Sequence, residues 1–182
     1  MEEIEFNEGK FRELILYVAA KSASLPKFGK TKLNKILFFC DFLSYGKLGH
    51  PVTGATYVRG DFGPIPVQAG KVIKRLQKAR EADYQIRGFG PVQEQRLTAL
   101  REPKLDQFSG PEIAIVDAVL DGLKDFTATE ASHLSHLRAK GWQQAANGEP
   151  IPYTTVFVST EQPTADDIKW ASDFAAQHGW AT

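Results

Sequence analysis

Three groups of side chains in this 182-residue chain have types and spacing suited to chemistry. His133 and His136, with Glu130 one turn upstream, have the i, i+3 spacing that brings two imidazoles to one zinc or iron ion. A third ligand would have to come from elsewhere, and no H-E-x-x-H arrangement supplies it. A structural histidine, bonded to backbone and tying its helix to the Trp142 segment, is the better reading. Asp41 is the second candidate. Amid Phe38, Phe39 and Phe42 its carboxylate is either at an exposed edge or buried and paired, because a lone buried charge is too costly. Lys32, Lys35, Arg59 and Tyr57 are the available partners. Catalysis needs a second group at fixed reach, and none is evident, so the structural pair is preferred. The third group is Lys71, Lys74, Arg75 and Lys78, a basic stripe at successive three- and four-residue steps. With Arg87 and Arg96 on a following hairpin, it has the composition of a recognition helix and wing. The plain alternative is a solvated face balanced by Glu81 and Asp83.

Other chemistries are excluded by what is missing. Gly60-x-x-Gly63 and Gly88-x-Gly90 lack the spacing and the lysine of a phosphate loop, and turn geometry accounts for them. No Gly-x-Ser-x-Gly elbow occurs. The single cysteine, Cys40, sits on an apolar helix and reads as a buried thiol, with no disulfide or cysteine metal site. Lys plus Arg and Asp plus Glu number 22 each, so there is no net charge to draw bulk nucleic acid. Met1 to Glu5 is acidic rather than apolar, unlike a secretory signal. No run is long enough to span a membrane. These features predict a cytoplasmic protein that is not an enzyme and uses no cofactor and no metal.

The elements that must position these residues follow from periodicity. The central one is a helix from Lys30 to about Lys47. Leu33, Ile36, Leu37, Cys40 and Leu43 recur on one face, and three phenylalanines widen it. Gly46, Gly49 and Pro51 end it. A helix from Asn7 or Glu8 precedes it, with Phe11, Leu14, Ile15 and Val18 inward, and Pro26 stops the loop between them. Ala55–Arg59 reads as a strand and Asp61–Pro64 as a turn. A third helix is predicted over Ile65–Glu81, with Pro64 and Pro66 at its first turn and Val72, Ile73 and Leu76 buried. Asp83–Arg87 and Glu94–Leu100 read as a hairpin reversing at Gly88–Pro91, able to take Ala55–Arg59 as a third strand. Ser109 caps a helix burying Ile113, Val116, Val119, Leu120 and Leu123. Thr127 with Glu130 makes a capping box for a helix burying Leu134 and Leu137. Trp142–Asn147 adds a turn, and Tyr153–Val158 is a strand or extended arm. Thr164 caps a last helix to about His178, with Ile168, Ala171 and Phe174 inward. The whole is α+β: a mainly helical single domain over residues 1–182 with one small antiparallel β-sheet, in an order that approximates a winged helix.

Two blocks carry a resemblance. Lys32-Leu33-x-Lys35 through Asp41-Phe42, then Pro51-Val52-Thr53-Gly54, Tyr57 and Phe62-Gly63-Pro64 form the first. Leu134-Ser135-His136, Trp142 and Ile151-Pro152-Tyr153 form the second. Together they resemble the Panacea domain, the SocA-like antitoxin family often labelled phage-associated proteins, over about Phe11 to Val158. The resemblance implies an antitoxin that neutralises a toxin protein encoded nearby, by direct binding or by delivering it to a protease. The motif positions Leu33, Lys35, Asp41, Pro51, Thr53, Gly54, Tyr57, Gly63, Pro64, His136, Trp142 and Tyr153 are expected to be structural. The toxin-binding face is expected at Arg59, Asp61 and Phe62 with Lys71, Lys74, Arg75 and Lys78, where a rigid turn carries an aromatic and an arginine. A DNA-binding regulator acting on promoter DNA is the alternative.

Overall fold

The computed structural model describes residues 4–25, 27–87, 94–158 and 164–177. Its centre is helix α2, Lys30–Leu48. Leu33, Ile36, Leu37, Phe38, Cys40 and Phe42 are all buried on it. A helix apolar over most of its circumference must be surrounded, and α2 touches elements from both halves of the chain. Leu43 departs from its predicted place and is 39% exposed, because the aromatic side of α2 was broad enough to satisfy the core without it. Gly49 closes the helix at φ +80°, a left-handed cap that costs glycine nothing.

Helix α1, Glu8–Lys21, starts where predicted: the Asn7 side chain accepts from the Lys10 amide at 2.9 Å. Its Phe11, Leu14, Ile15 and Val18 are fully buried against α2 and its neighbours.

The strands form two hairpins rather than one three-stranded sheet. Strand β1, Tyr57–Gly60, pairs antiparallel with β2, Gly63–Pro66. The two prolines predicted at a helix start lie in this short second strand, where Pro64 opposes Arg59 and Pro66 opposes Tyr57. Helix α3 therefore begins later and ends earlier than predicted, at Ala69–Lys78, with Val72, Ile73 and Leu76 buried. The other edge of β1 is taken by residues 149–151. The Arg59 amide donates to the Glu149 carbonyl at 3.0 Å, and the Ile151 amide to the Tyr57 carbonyl at 2.8 Å. The second hairpin joins β3, Ala82–Arg87, to β4, Glu94–Ala99. Its predicted Gly88–Pro91 reversal, like Pro26, lies outside the described residues.

Beyond β4 a 3₁₀ turn at Leu105–Gln107 leads to α4, Gly110–Leu123. The predicted capping box of Thr127 with Glu130 opens α5, Ala128–Arg138, and the predicted Ser109 cap of α4 proves to be a full box as well, with Glu112 reaching back. Val116, Val119, Leu120 and Leu123 are buried, while Ile113 is only half-buried and Ile115 takes a core place instead. Leu137 is 53% exposed rather than inward; α5 buries its small residues Ala131, Ser132 and Ser135 so that it can lie close to α2 and β2. Helix α6, Lys140–Gln144, follows at once.

The Tyr153–Val158 stretch is not a strand. Tyr153–Phe157 is a 3₁₀ turn, because the edge of β1 is already occupied by the residues just before it. Helix α7 spans Ala165–Gln177. Ile168 is exposed there rather than inward, and the predicted roles of Ala171, Phe174 and His178 lie outside the described side chains.

Two charged side chains are core components. Lys32 is fully buried and donates to the Lys124 and Phe126 carbonyls at 2.9 and 2.7 Å, closing the carboxyl end of α4. Arg96, predicted on an exposed wing, is 3% exposed. Its guanidinium donates to the carbonyls of Ser22, Ala23 and Leu25 and pairs with Glu94.

Candidate functional site

The buried end of the site is built on Asp41. Its carboxylate accepts from the Thr53 amide and hydroxyl, each at 2.7 Å, and from the Tyr57 hydroxyl at 2.8 Å. Of the partners expected from sequence Tyr57 is the real one, and Thr53 was missed. Tyr57 stands edge-on to Phe38 and Phe42, and Tyr153 lies tilted on Phe42 at 4.6 Å. The Tyr153 hydroxyl donates to the Ala55 carbonyl at 2.6 Å. α2 thereby holds the root of β1, and β1 carries the hairpin tip outward.

The tip is braced from a segment far away in sequence. The Arg59 guanidinium lies 4.7 Å from the Trp142 ring centre and donates to the Ala145 carbonyl at 2.6 Å. Trp142 Nε1 donates to the Gly60 carbonyl at 3.0 Å. Asp61 accepts from the Asn147 side chain at 3.2 Å. Trp142 thus anchors α6 to the hairpin, and Tyr153 packs on the central helix. The side chain left out of this bracing is Phe62, 73% exposed.

His136 stacks flat on Trp142, ring centres 3.9 Å apart. Burial, then the charge of Lys35, hold its pKa below the ordinary value against a bond to the Phe62 backbone. His133 is exposed, and among the described residues no group of three or more His, Cys, Asp or Glu side chains is arranged to hold a metal ion.

Lys35 lies beneath the tip. It is 1% exposed, and its ammonium donates to the Pro64 carbonyl at 3.3 Å. Gly63, at φ +103°, makes room for it: a Cβ there would come within 2.6 Å of both Lys35 Nζ and Ser135 Oγ. Burial pushes Lys35 down to about 8. An unfolded lysine holds its proton to about pH 10, so between those values the unfolded chain binds more protons and stability rises with pH. Lys35→Met is expected to lose this rise between about pH 8 and 10 in urea titrations. An unchanged pH slope would show that the amine is solvated.

The basic stripe is exposed as predicted: Lys71, Lys74, Arg75 and Lys78 face outward from α3. Its acidic partner is Glu8 on α1, paired with Arg75. Glu81 pairs with Arg12 and Arg101 instead, and Asp83 accepts from Gln77. No hydrogen bond, ion pair or ring contact among the described residues joins the stripe to Arg59, Asp61 or Phe62. Asn147 and the Ala145 carbonyl had no sequence signal, since backbone acceptors leave none. The winged-helix expectation loses Arg96 to the core, and the side chain of Arg87 is outside the described ones.

These positions coincide with a known family. A family model described as antitoxin SocA-like, Panacea domain, matches residues 33–143 of the chain. The chain belongs to this family. The match to the Panacea domain holds the first block from Leu33 on, Leu134–His136 and Trp142, and ends before Tyr153, short of the Phe11 to Val158 expected. It supports a general antitoxin role. No curated protein matches the chain, and no solved structure does. Among the described residues no helix is long and apolar enough to cross a membrane.

Proposed function

We propose that this Panacea domain, taken as one unit over residues 1–182, is a non-enzymatic cytoplasmic antitoxin that neutralises a toxin encoded beside it by direct binding. The hairpin tip Arg59–Pro64 is the contact. One observation carries this reading: Phe62 is a phenylalanine 73% exposed on a turn held by Trp142, Asn147 and the Ala145 carbonyl. An exposed apolar ring on a preorganised turn has little entropy left to lose on binding, the condition that makes a hot spot. Lys71, Lys74, Arg75 and Lys78 steer an acidic partner toward the domain. Masking by the tip accounts for neutralisation without a protease, and handing the toxin on to one is compatible with the same contact.

Growth rescue on co-expression with the adjacent gene product tests this. Phe62→Ala is expected to abolish rescue and weaken binding about 30-fold or more, with circular dichroism unchanged. Reversing Lys74, Arg75 and Lys78 together is expected to slow association and flatten its salt dependence. Full rescue by Phe62→Ala would overturn the tip as the contact. A gel shift on the domain's own promoter that vanishes with the charge reversal would favour the DNA-binding alternative instead.

A further inference from the structure

A groove of about 410 Å³ lies between α2, α4, α5 and the Tyr153–Phe157 turn. Phe38, Phe39, Val119 and Leu134 line it with apolar surface. Its charged lining groups are Arg138 and Lys140, with no carboxylate beside them. Neither cation makes an ion pair or side-chain hydrogen bond among the described residues. Gly122, near the end of α4, also lines the groove. A glycine within a helix is destabilising relative to alanine, yet a Cβ built at Gly122 meets nothing within 4 Å. Packing does not require the missing side chain; its absence keeps the groove open.

The chemistry of the walls selects an occupant. They are helical, with backbone groups already bonded, so they offer no strand edge to an extended peptide. A helix satisfies its own backbone and needs only an apolar face to enter such a groove. Two unpaired cations at the wall favour acidic residues beside that face. We propose that the groove receives an amphipathic helix of the toxin, its apolar anchors against Phe39 and Leu134 and its carboxylates against Arg138 and Lys140. This rests on the antitoxin reading above and adds a second contact to it. Leu134 and His136 are two residues apart on α5, about 200° around the helix, so groove and hairpin tip engage different parts of the partner.

Gly122→Leu plugs the groove from a position with free space, and Arg138→Glu with Lys140→Glu inverts its charge. The full-length chain is co-expressed and then purified with the adjacent gene product. Gly122→Leu is expected to keep or raise thermal stability while weakening toxin binding about 100-fold. The charge reversal is expected to weaken it at least 10-fold, less so at high salt. A photo-cross-linking residue at Leu43, on the groove's rim, is expected to capture an acidic amphipathic segment of the toxin. Unchanged affinity in the folded Gly122→Leu protein would overturn the proposal, as would a cross-link to α7 or to a second copy of the chain. If the wild-type chain itself gives no rescue, the antitoxin reading fails. If wild type and Gly122→Leu rescue equally, only the groove does.

Discussion

Asp41→Ala is expected to lose about 3–5 kcal/mol of stability, enough to unfold a marginal domain. The carboxylate is fully buried and accepts three donors, the Thr53 amide, the Thr53 hydroxyl and the Tyr57 hydroxyl. Alanine leaves all three donors without their acceptor in a dry site. Asp41→Asn keeps an acceptor and is expected to cost less, and it isolates a pH effect. Burial lifts Asp41 from 3.8 to about 6, against bonds from Thr53 and Tyr57 that lower it. Between about pH 4 and 6 the folded chain holds a proton that the unfolded chain has released. The contribution of Asp41 to stability therefore falls as pH rises through that window and is flat above it. Other carboxyls act oppositely. Burial alone would raise Glu13, Glu81 and Glu112, but bonds from Arg101, Arg12 and Lys10 outweigh it and hold them below the usual range. Their contribution is lost as pH falls, and it is common to wild type and the Asn variant. The stability difference between those two proteins, followed by urea unfolding, is expected to shift against wild type by roughly 2–3 kcal/mol from pH 4 to 6. A difference independent of pH would show that Asp41 does not titrate there.

Tyr153→Ala is expected to cost about 3–5 kcal/mol. The ring packs on Phe42 and Tyr45, and the hydroxyl bonds the Ala55 carbonyl across 98 residues of chain. Tyr153→Phe keeps the packing and leaves that carbonyl unpaired, for about 1–2 kcal/mol. Equal losses in the two variants would place the whole effect in the hydrogen bond. A loss below about 1 kcal/mol for alanine would mean that the 3₁₀ turn re-packs around the gap.

Much of the helical frame was legible in the sequence because its signals are local. Asn7, the Ser109 cap and the Thr127–Glu130 box each need only neighbours three residues away. The apolar periodicity of α1, α2 and α3 is equally local. What failed depended on distant chain. Pro64 and Pro66 carry the chemistry of a helix start, and only their pairing with β1 makes them a strand. Arg96 has no local feature that separates a wing from a core; three carbonyls near residue 22 decide it. Leu137 has the right spacing for burial, but the close approach of α5 is set by Ala131 and Ser135. At the site, the types Arg59, Asp61 and Phe62 were readable, whereas their bracing by Trp142 and Asn147 was not. The groove was invisible, since Gly122 reads as a poor helix residue until its neighbours are known.

The closing of the Phe42–Tyr57 pocket by Tyr153 also bears on the order in which the chain is made. The aromatic flank of α2 is complete once Tyr57 has been synthesised, and its cover arrives 98 residues after Ala55. At elongation rates of about 5–20 residues per second, that leaves this surface open for roughly 5–20 s on every nascent chain. A polypeptide released before residue 153 never covers it. Interrupted translation would therefore yield fragments marked for chaperones and proteases by the same aromatic surface that anchors the finished protein.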